Sequence, residues 1–231
     1  MTEASLMSIY KTLMQGLLLT FVLPASIQAN VVTSTETELQ AKRQSIPQEG
    51  KEYITLIHPV ASQPKVVEFF SFYCSSCYQF VENYPVADAI NRILPKGETV
   101  TKYHVSMMGP LGNELTEAWA IAMVMDKTHD VEKPLFEAVH NQKLKNVADI
   151  QEVFAKAGMD AATYQQAQQS LLVKGAIARQ KAAIASFGVK GTPTFYVNGK
   201  YQIHNAGIAI TTPQAYANNF AEVVHALLEQ Q

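Results

Sequence analysis

Cysteine is nearly missing from this chain: there are two, Cys74 and Cys77, in 231 residues. An exported scaffold that uses disulfides as staples carries several, and a chain that is 48% hydrophobic can build a core without any. A bridge across three residues also closes too small a loop to restrict the unfolded chain much. The pair is therefore read as reactive, with a local staple as the bland alternative. Basic excess is missing too. Eighteen Lys and Arg stand against 20 Asp and Glu, a formal net charge of −2, which leaves no electrostatic footprint for nucleic acid. Metal-ligand spacing is missing as well: the six histidines (58, 104, 129, 140, 204, 225) are scattered, and one Cys-x-x-Cys supplies two of the four ligands a structural zinc needs. No metal and no other cofactor is expected.

Long apolar runs are scarce. The longest near the N-terminus, Leu13 to Leu23, is too short for a hydrocarbon layer of ~30 Å, so a retained anchor is the weaker reading. Lys11 before it, then Pro24 and small residues up to Ala29, read as a secretory signal over 1–29, cleaved after Ala29, with Met7 a cleaner start than Met1. Residues 30–50 are polar and aperiodic, a flexible leader. Export places the cysteines in an oxidising compartment.

What is there centres on Phe69-Phe70-Ser71-Phe72-Tyr73-Cys74-Ser75-Ser76-Cys77-Tyr78. It reads as a buried strand entering a helix, with Cys74 at the helix start and Cys77 one turn on. Both sulfurs then share a face, and the free amides and dipole of the first turn favour a thiolate on Cys74. Cys77, further in, is the shielded resolving thiol.

Along the chain, strands are expected over Tyr53–Ile57, Lys65–Phe70 and Thr99–Val105, with a helix from Cys74 to Tyr84 broken by Pro85 and another over Val86–Leu94. Helical patterns follow over Glu114–Met125, Pro134–His140, Val147–Ala157, Ala161–Ser170 and Leu171–Phe187, the last closed by Gly188. Thr194–Val197 and Lys200–Ile203, joined by Asn198-Gly199, carry the strongest short hairpin signal, and a final helix spans Pro213–Leu228.

This order resembles the α/β thioredoxin fold with an inserted all-helical subdomain: 51–111 and 172–231 form the thioredoxin part, and 112–171 the insertion. Val67 to Cys74, Thr101 to Val105, Leu115 to Ala120 and Val197 to Gln202 closely resemble the DsbA family of periplasmic oxidoreductases, a likeness running from about residue 50 to 230. The resemblance implies a monomeric periplasmic dithiol oxidase that donates its Cys74–Cys77 disulfide to reduced exported proteins and is reoxidised by a DsbB-type, quinone-linked membrane partner. It also implies that Thr192-Pro193 is a cis-proline loop facing the cysteines and binding substrate. The family's usual dipeptide between the cysteines is Pro-His; here Ser75-Ser76 replaces it. Serine offers a hydroxyl where histidine offers charge, so a less oxidising couple is expected. Thr192, where the family more often has Val, is a second redox tuner.

Glu68 and Lys102 match family positions; they are either solvent-facing sheet residues or a buried pair that tunes the thiols. Met107 and Met108 either border an apolar substrate groove with Phe72 and Tyr73 or belong to the core. Two other functions stay open: a periplasmic reductase or isomerase on the same fold, and a non-catalytic exported binding or chaperone protein.

Overall fold

The computed structural model describes residues 46–230, so the expected signal and most of the expected leader lie outside the described residues. Five strands make one mixed sheet in the order β1-β5-β4-β2-β3: β1 (Tyr53–Thr55), β2 (Val66–Phe70), β3 (Thr101–His104), β4 (Thr194–Val197) and β5 (Tyr201–Ile203). Only β2 and β3 run parallel; the other pairs are antiparallel. Residues 46–50, read as the end of the leader, instead lead into β1. Glu49 bridges to Tyr53 and its carboxylate accepts from the Thr55 amide, while Gly50 takes the positive φ the turn requires.

Every residue of β2 is buried because both faces are covered. Val67 and Phe69 point to one side, onto Tyr103, Tyr196 and the last turn of α7 (Leu171–Phe187). Val66 points to the other, into a core with Phe195 and Val197 closed by α2 (Val86–Ile93) and α8 (Pro213–Glu229). Phe70, further along that second face, enters a separate core. It packs with α3 (Gly112–Val124), α4 (Thr128–His140), α5 (Val147–Lys156) and α6 (Ala161–Gln169), and both cysteines belong to this cluster. The helical block is thus the floor of the cysteine helix, α1 (Ser75–Glu82). Helix α3 lies at its centre, with Leu115, Thr116 and Ala118 to Ala122 all buried, as its Ala-rich, nearly uncharged sequence requires.

Local chemistry sets the boundaries. Pro85 separates α1 from α2. Ser170 caps the start of α7 and Gly188, in the left-handed region, ends it. Most ends lie within two residues of the sequence reading, but α4 begins at Thr128, not at Pro134, and carries Pro134 inside it. A proline removes one helical amide but does not forbid a helix whose buried residues on both sides of it, Val131 with Leu135, Phe136 and Ala138, are held by packing.

Asn198 and Gly199 both have positive φ, 51° and 62°, and the Lys200 amide donates to the Val197 carbonyl at 3.0 Å, the geometry a two-residue hairpin needs. The Gly199 carbonyl also accepts from the Val60 amide at 2.8 Å, and a Cβ on Gly199 would sit 2.0 Å from the Val60 carbonyl oxygen. Gly199→Ala is therefore expected to lower the stability of unfolding by about 1–3 kcal/mol in urea titration, and a change within 0.5 kcal/mol would contradict this close approach.

Candidate active site

After Phe70 the chain turns through Ser71 to Tyr73, with the Cys74 amide donating to the Ser71 carbonyl at 3.0 Å. Cys74 is then the N-cap of α1 in extended conformation (φ −88°, ψ 113°), and its Sγ accepts from the Cys77 amide at 3.2 Å. Sulfur occupies the place a serine or aspartate oxygen takes at a helix start. In its neutral form Cys74 donates to the Thr192 carbonyl at 3.3 Å. Thr192-Pro193 is a cis peptide bond, and the contact between Thr192 and Cys74 puts its loop opposite the cysteines. The loop is fastened from behind: Asn205 Nδ2 donates to the Pro193 carbonyl at 2.8 Å, and Tyr216 Oη donates to the Asn205 carbonyl at 3.0 Å.

The two sulfurs are driven apart in acidity. Cys74 is lowered to about 6, first by the hydrogen bond from the Cys77 thiol, with the Thr192 side chain and the amides of Cys77 and Ser76 adding to it against the cost of burial. Cys77, 1% exposed, is raised far above the usual thiol range, first by burial and then by the neighbouring Cys74 anion. Ser75 and Ser76 face solvent, and among the described residues no hydrogen bond joins either hydroxyl to Cys74. What position 76 contributes comes through its backbone amide rather than the hydroxyl expected from the sequence.

Glu68 and Lys102 sit opposite each other on β2 and β3 and form a buried pair, so the solvent-facing alternative is excluded. Lys102 Nζ lies 3.1 Å from Glu68 Oε2, but that oxygen makes no hydrogen bond; the lysine's hydrogen bond goes instead to Glu132 of α4. Lys102 also lies 5.2 Å over the Phe70 ring. Glu132 carries no signal of its own in the sequence, because Pro134 reads as the start of the helix that holds it.

Phe72 corrects the sequence reading. It is fully buried, edge-on to Phe136 (ring centroids 4.8 Å apart) and stacked on His104 (5.1 Å), so it cannot border a substrate groove. Tyr73 is half-buried and pinned, its hydroxyl accepting from the Leu111 amide at 3.2 Å and its ring lying against Gly109, where a Cβ would come within 2.4 Å. Met107 and Met108 are surface residues, 75% and 38% exposed, and not core. Met108 Sδ lies 3.9 Å from Thr192 Oγ1, which brings it to the loop that faces Cys74. Trp119 is buried in the same cluster as the cysteines, edge-on to Phe72 at 5.8 Å, with its indole N–H on the Lys102 carbonyl.

His104, as readily structural as functional by its sequence context alone, is a strut. Its Nε2 accepts from the Phe72 amide at 3.2 Å, so Nδ1 carries the proton toward Thr116 Oγ1 at 2.8 Å, and that hydroxyl donates on to the Gly112 carbonyl. Gln180 of α7 completes the network, accepting from the His104 amide and donating to the Thr116 carbonyl. Four segments are thereby tied directly behind the cysteine turn.

Two outcomes follow. Burial lowers the His104 pKa to about 3. The unfolded chain holds an extra proton on it below about 6.5, so this contribution to stability is complete above that pH and is lost as pH falls toward 3, by up to about 1.4 kcal/mol per pH unit. Urea unfolding from pH 7 to 4 should show a shallower slope for His104→Gln than for the unaltered protein; equal slopes would contradict the neutral, buried imidazole. The second outcome concerns Cys74. Iodoacetamide alkylation of the reduced protein should follow a midpoint at pH about 6, and a midpoint at the ordinary cysteine value near 8.5 would remove the acidity argued here.

The profile of the DSBA-like thioredoxin domain matches residues 65–212. The chain is 45% identical over 184 residues to the thiol:disulfide interchange protein DsbA of Salmonella typhi, covering 79% of this chain and 89% of that one, and 42% identical over the same span to the protein of that name from Yersinia pestis. Among solved structures it is similar to a DsbA disulfide interchange protein from Klebsiella pneumoniae (TM-score 0.76, 44% identity, covering 79% of this chain and 97% of that one). It is also similar to a cysteine-to-serine variant of Proteus mirabilis DsbA with a non-covalently bound peptide PWATCDS (TM-score 0.75, 39% identity, covering 79% and 98%).

Proposed function

The chain belongs to the DsbA family of thiol:disulfide oxidoreductases, and from there we propose that it is a periplasmic dithiol oxidase whose working pair is Cys74 and Cys77. A thiolate of a reduced exported protein attacks Cys74 Sγ. The Cys74–Cys77 bond breaks, and Cys77 leaves and takes a proton, since its buried site disfavours the anion. The substrate's second thiolate then attacks the substrate sulfur of the mixed disulfide and expels Cys74 as a thiolate. Two electrons have passed from the substrate dithiol to the cysteine pair.

The observation that carries the direction is the acidity of Cys74. A group that leaves as a stabilised anion makes the reduced form the favoured one, and hence the disulfide an oxidant. The size of the effect is limited. With a pKa of about 6, ionisation at pH 7 favours the reduced form by roughly a factor of ten over an unperturbed thiol, about 30 mV in potential. That modest figure, and two solvent-facing serines where the family usually has Pro-His, support a couple less oxidising than Pro-His members.

The substrate strand pairs alongside Thr192 and Pro193, whose loop meets Cys74, and Tyr73 and Met108 flank it. This draws support from the cysteine-containing peptide held by the Proteus mirabilis relative. Glu68 and Lys102 tune the thiols electrostatically. The protein acts as a monomer, reaches the periplasm by its N-terminal signal, and is reoxidised by a quinone-linked membrane partner of the DsbB type.

Equilibration with glutathione, read by Trp119 fluorescence, tests the direction. The expected potential lies above thioredoxin's roughly −270 mV and rises when Ser75-Ser76 is replaced by Pro-His. A potential at or below thioredoxin's would make the protein a reductase, and failure to oxidise a reduced protein would leave a staple.

A further inference from the structure

Lys102 is one cation facing two carboxylates. From β3 it reaches Glu68 on the neighbouring strand and Glu132 on α4, and its hydrogen bond is made to Glu132. Glu68, 2% exposed, keeps one oxygen with charge contact only. A buried carboxylate without full hydrogen bonding is costly, and the cheapest relief is a proton. The site has a way in for one: a cleft of about 280 Å³ reaches Glu68, Lys102 and Glu132 and is bordered by Asp88 of α2 and by His129 and Lys133 of α4. From α1 the facing groups are the two cysteines, both within electrostatic reach of Glu68.

We propose that Glu132 is a positioning residue for thiol exchange: by holding the lysine toward the helical block it leaves Glu68 underneutralised, so that Glu68 takes up a proton when the cysteines are reduced and returns it when they are oxidised. This rests on the thiol-exchange reading above. In the reducing half, the Cys74–Cys77 bond breaks and receives two electrons from the substrate dithiol. The substrate dithiol releases two protons as its disulfide forms: Cys77 takes one, Cys74 stays as thiolate, and Glu68 takes the equivalent of the second, relayed by solvent in the cleft. Oxidation reverses each transfer.

The direction of Glu68's acidity agrees. Burial raises it first and foremost, Glu132 and Cys74 raise it further, and the attraction of Lys102 only partly offsets them. Of the other basic groups at the cleft, Lys133 is paired with Glu82 at 2.7 Å and His129 faces Asp130 at 3.9 Å.

The test is carboxyl titration by NMR with carbon-13 glutamate, on disulfide and reduced forms of the full chain. In the unaltered protein the Glu68 midpoint should lie above that of an exposed glutamate and move up on reduction. In Glu132→Gln, Lys102 is free for Glu68, and the midpoint should fall by about 1 unit or more. Glu132→Asp, which keeps the charge, should hold it near the original value. A merely structural Glu132 would alter unfolding in urea and leave the midpoint unmoved, and that result overturns the proposal. If Glu132→Gln does not fold, the unaltered protein still decides: a Glu68 that ionises at or below the range of an exposed glutamate, or is indifferent to the state of the cysteines, overturns it. The same samples are assayed for oxidation of a reduced protein. Failure of the unaltered protein there removes the exchange reading and this role with it, whereas a normal rate with an unmoved midpoint in Glu132→Gln removes the role of Glu132 alone.

Discussion

A single contact organises the rest: the amide of Cys77 pointing at the sulfur of Cys74. It exists because Cys74 is extended while Ser75 onward is helical, so the first turn's unpaired donors converge where a cap side chain must be. Placing sulfur there couples a structural need to a chemical one. The helix start is satisfied best when that atom is negative, and the anion is in turn held by groups fixed in the backbone. The acidity of Cys74 thus comes first from the Cys77 thiol and then from the donors that converge where β2 stops and α1 begins, and needs no charged neighbour between the cysteines.

Holding that junction in place falls to groups that never meet a substrate. The imidazole of His104 fixes the amide of Phe72, two residues before the sulfur, and is itself fixed by Thr116 and Gln180. On the facing side Asn205 fixes the carbonyl of Pro193. A buried polar network is worth having only when each member is satisfied, and here the tautomer, the hydroxyl and the amide side chain all find partners. The less satisfied polar site is one layer away, at Glu68, where the carboxylates outnumber the lysine. Rigid support under the turn and an electrostatically frustrated carboxyl nearby are different requirements, met by different residues on the same two strands.

Much of this was legible in the sequence because it is local. The cysteine spacing, the Asn198-Gly199 hairpin, the break at Pro85 and the whole of α7 follow from residues within a few positions of one another. The family likeness added the loop at Thr192-Pro193, which no local rule places opposite Cys74. What could not be read depends on pairings distant along the chain. His104 and Gln180 are 76 residues apart, and an aromatic such as Phe72, beside a reactive cysteine, looks the same in sequence whether it faces a substrate or the core. Glu132 was concealed by a sound rule applied too strictly: Pro134 reads as a helix start, and tertiary packing carried the helix through it.

Phe70 and Phe72 are shared property of the sheet and the helical block, since both rings lie against Phe136 and Trp119. The block is therefore not a detachable appendage. Lineages that lengthen, trim or recast those helices cannot leave the chemistry untouched, and a chimera that transplants the cysteine turn onto another member's helices would inherit a redox character belonging to neither parent.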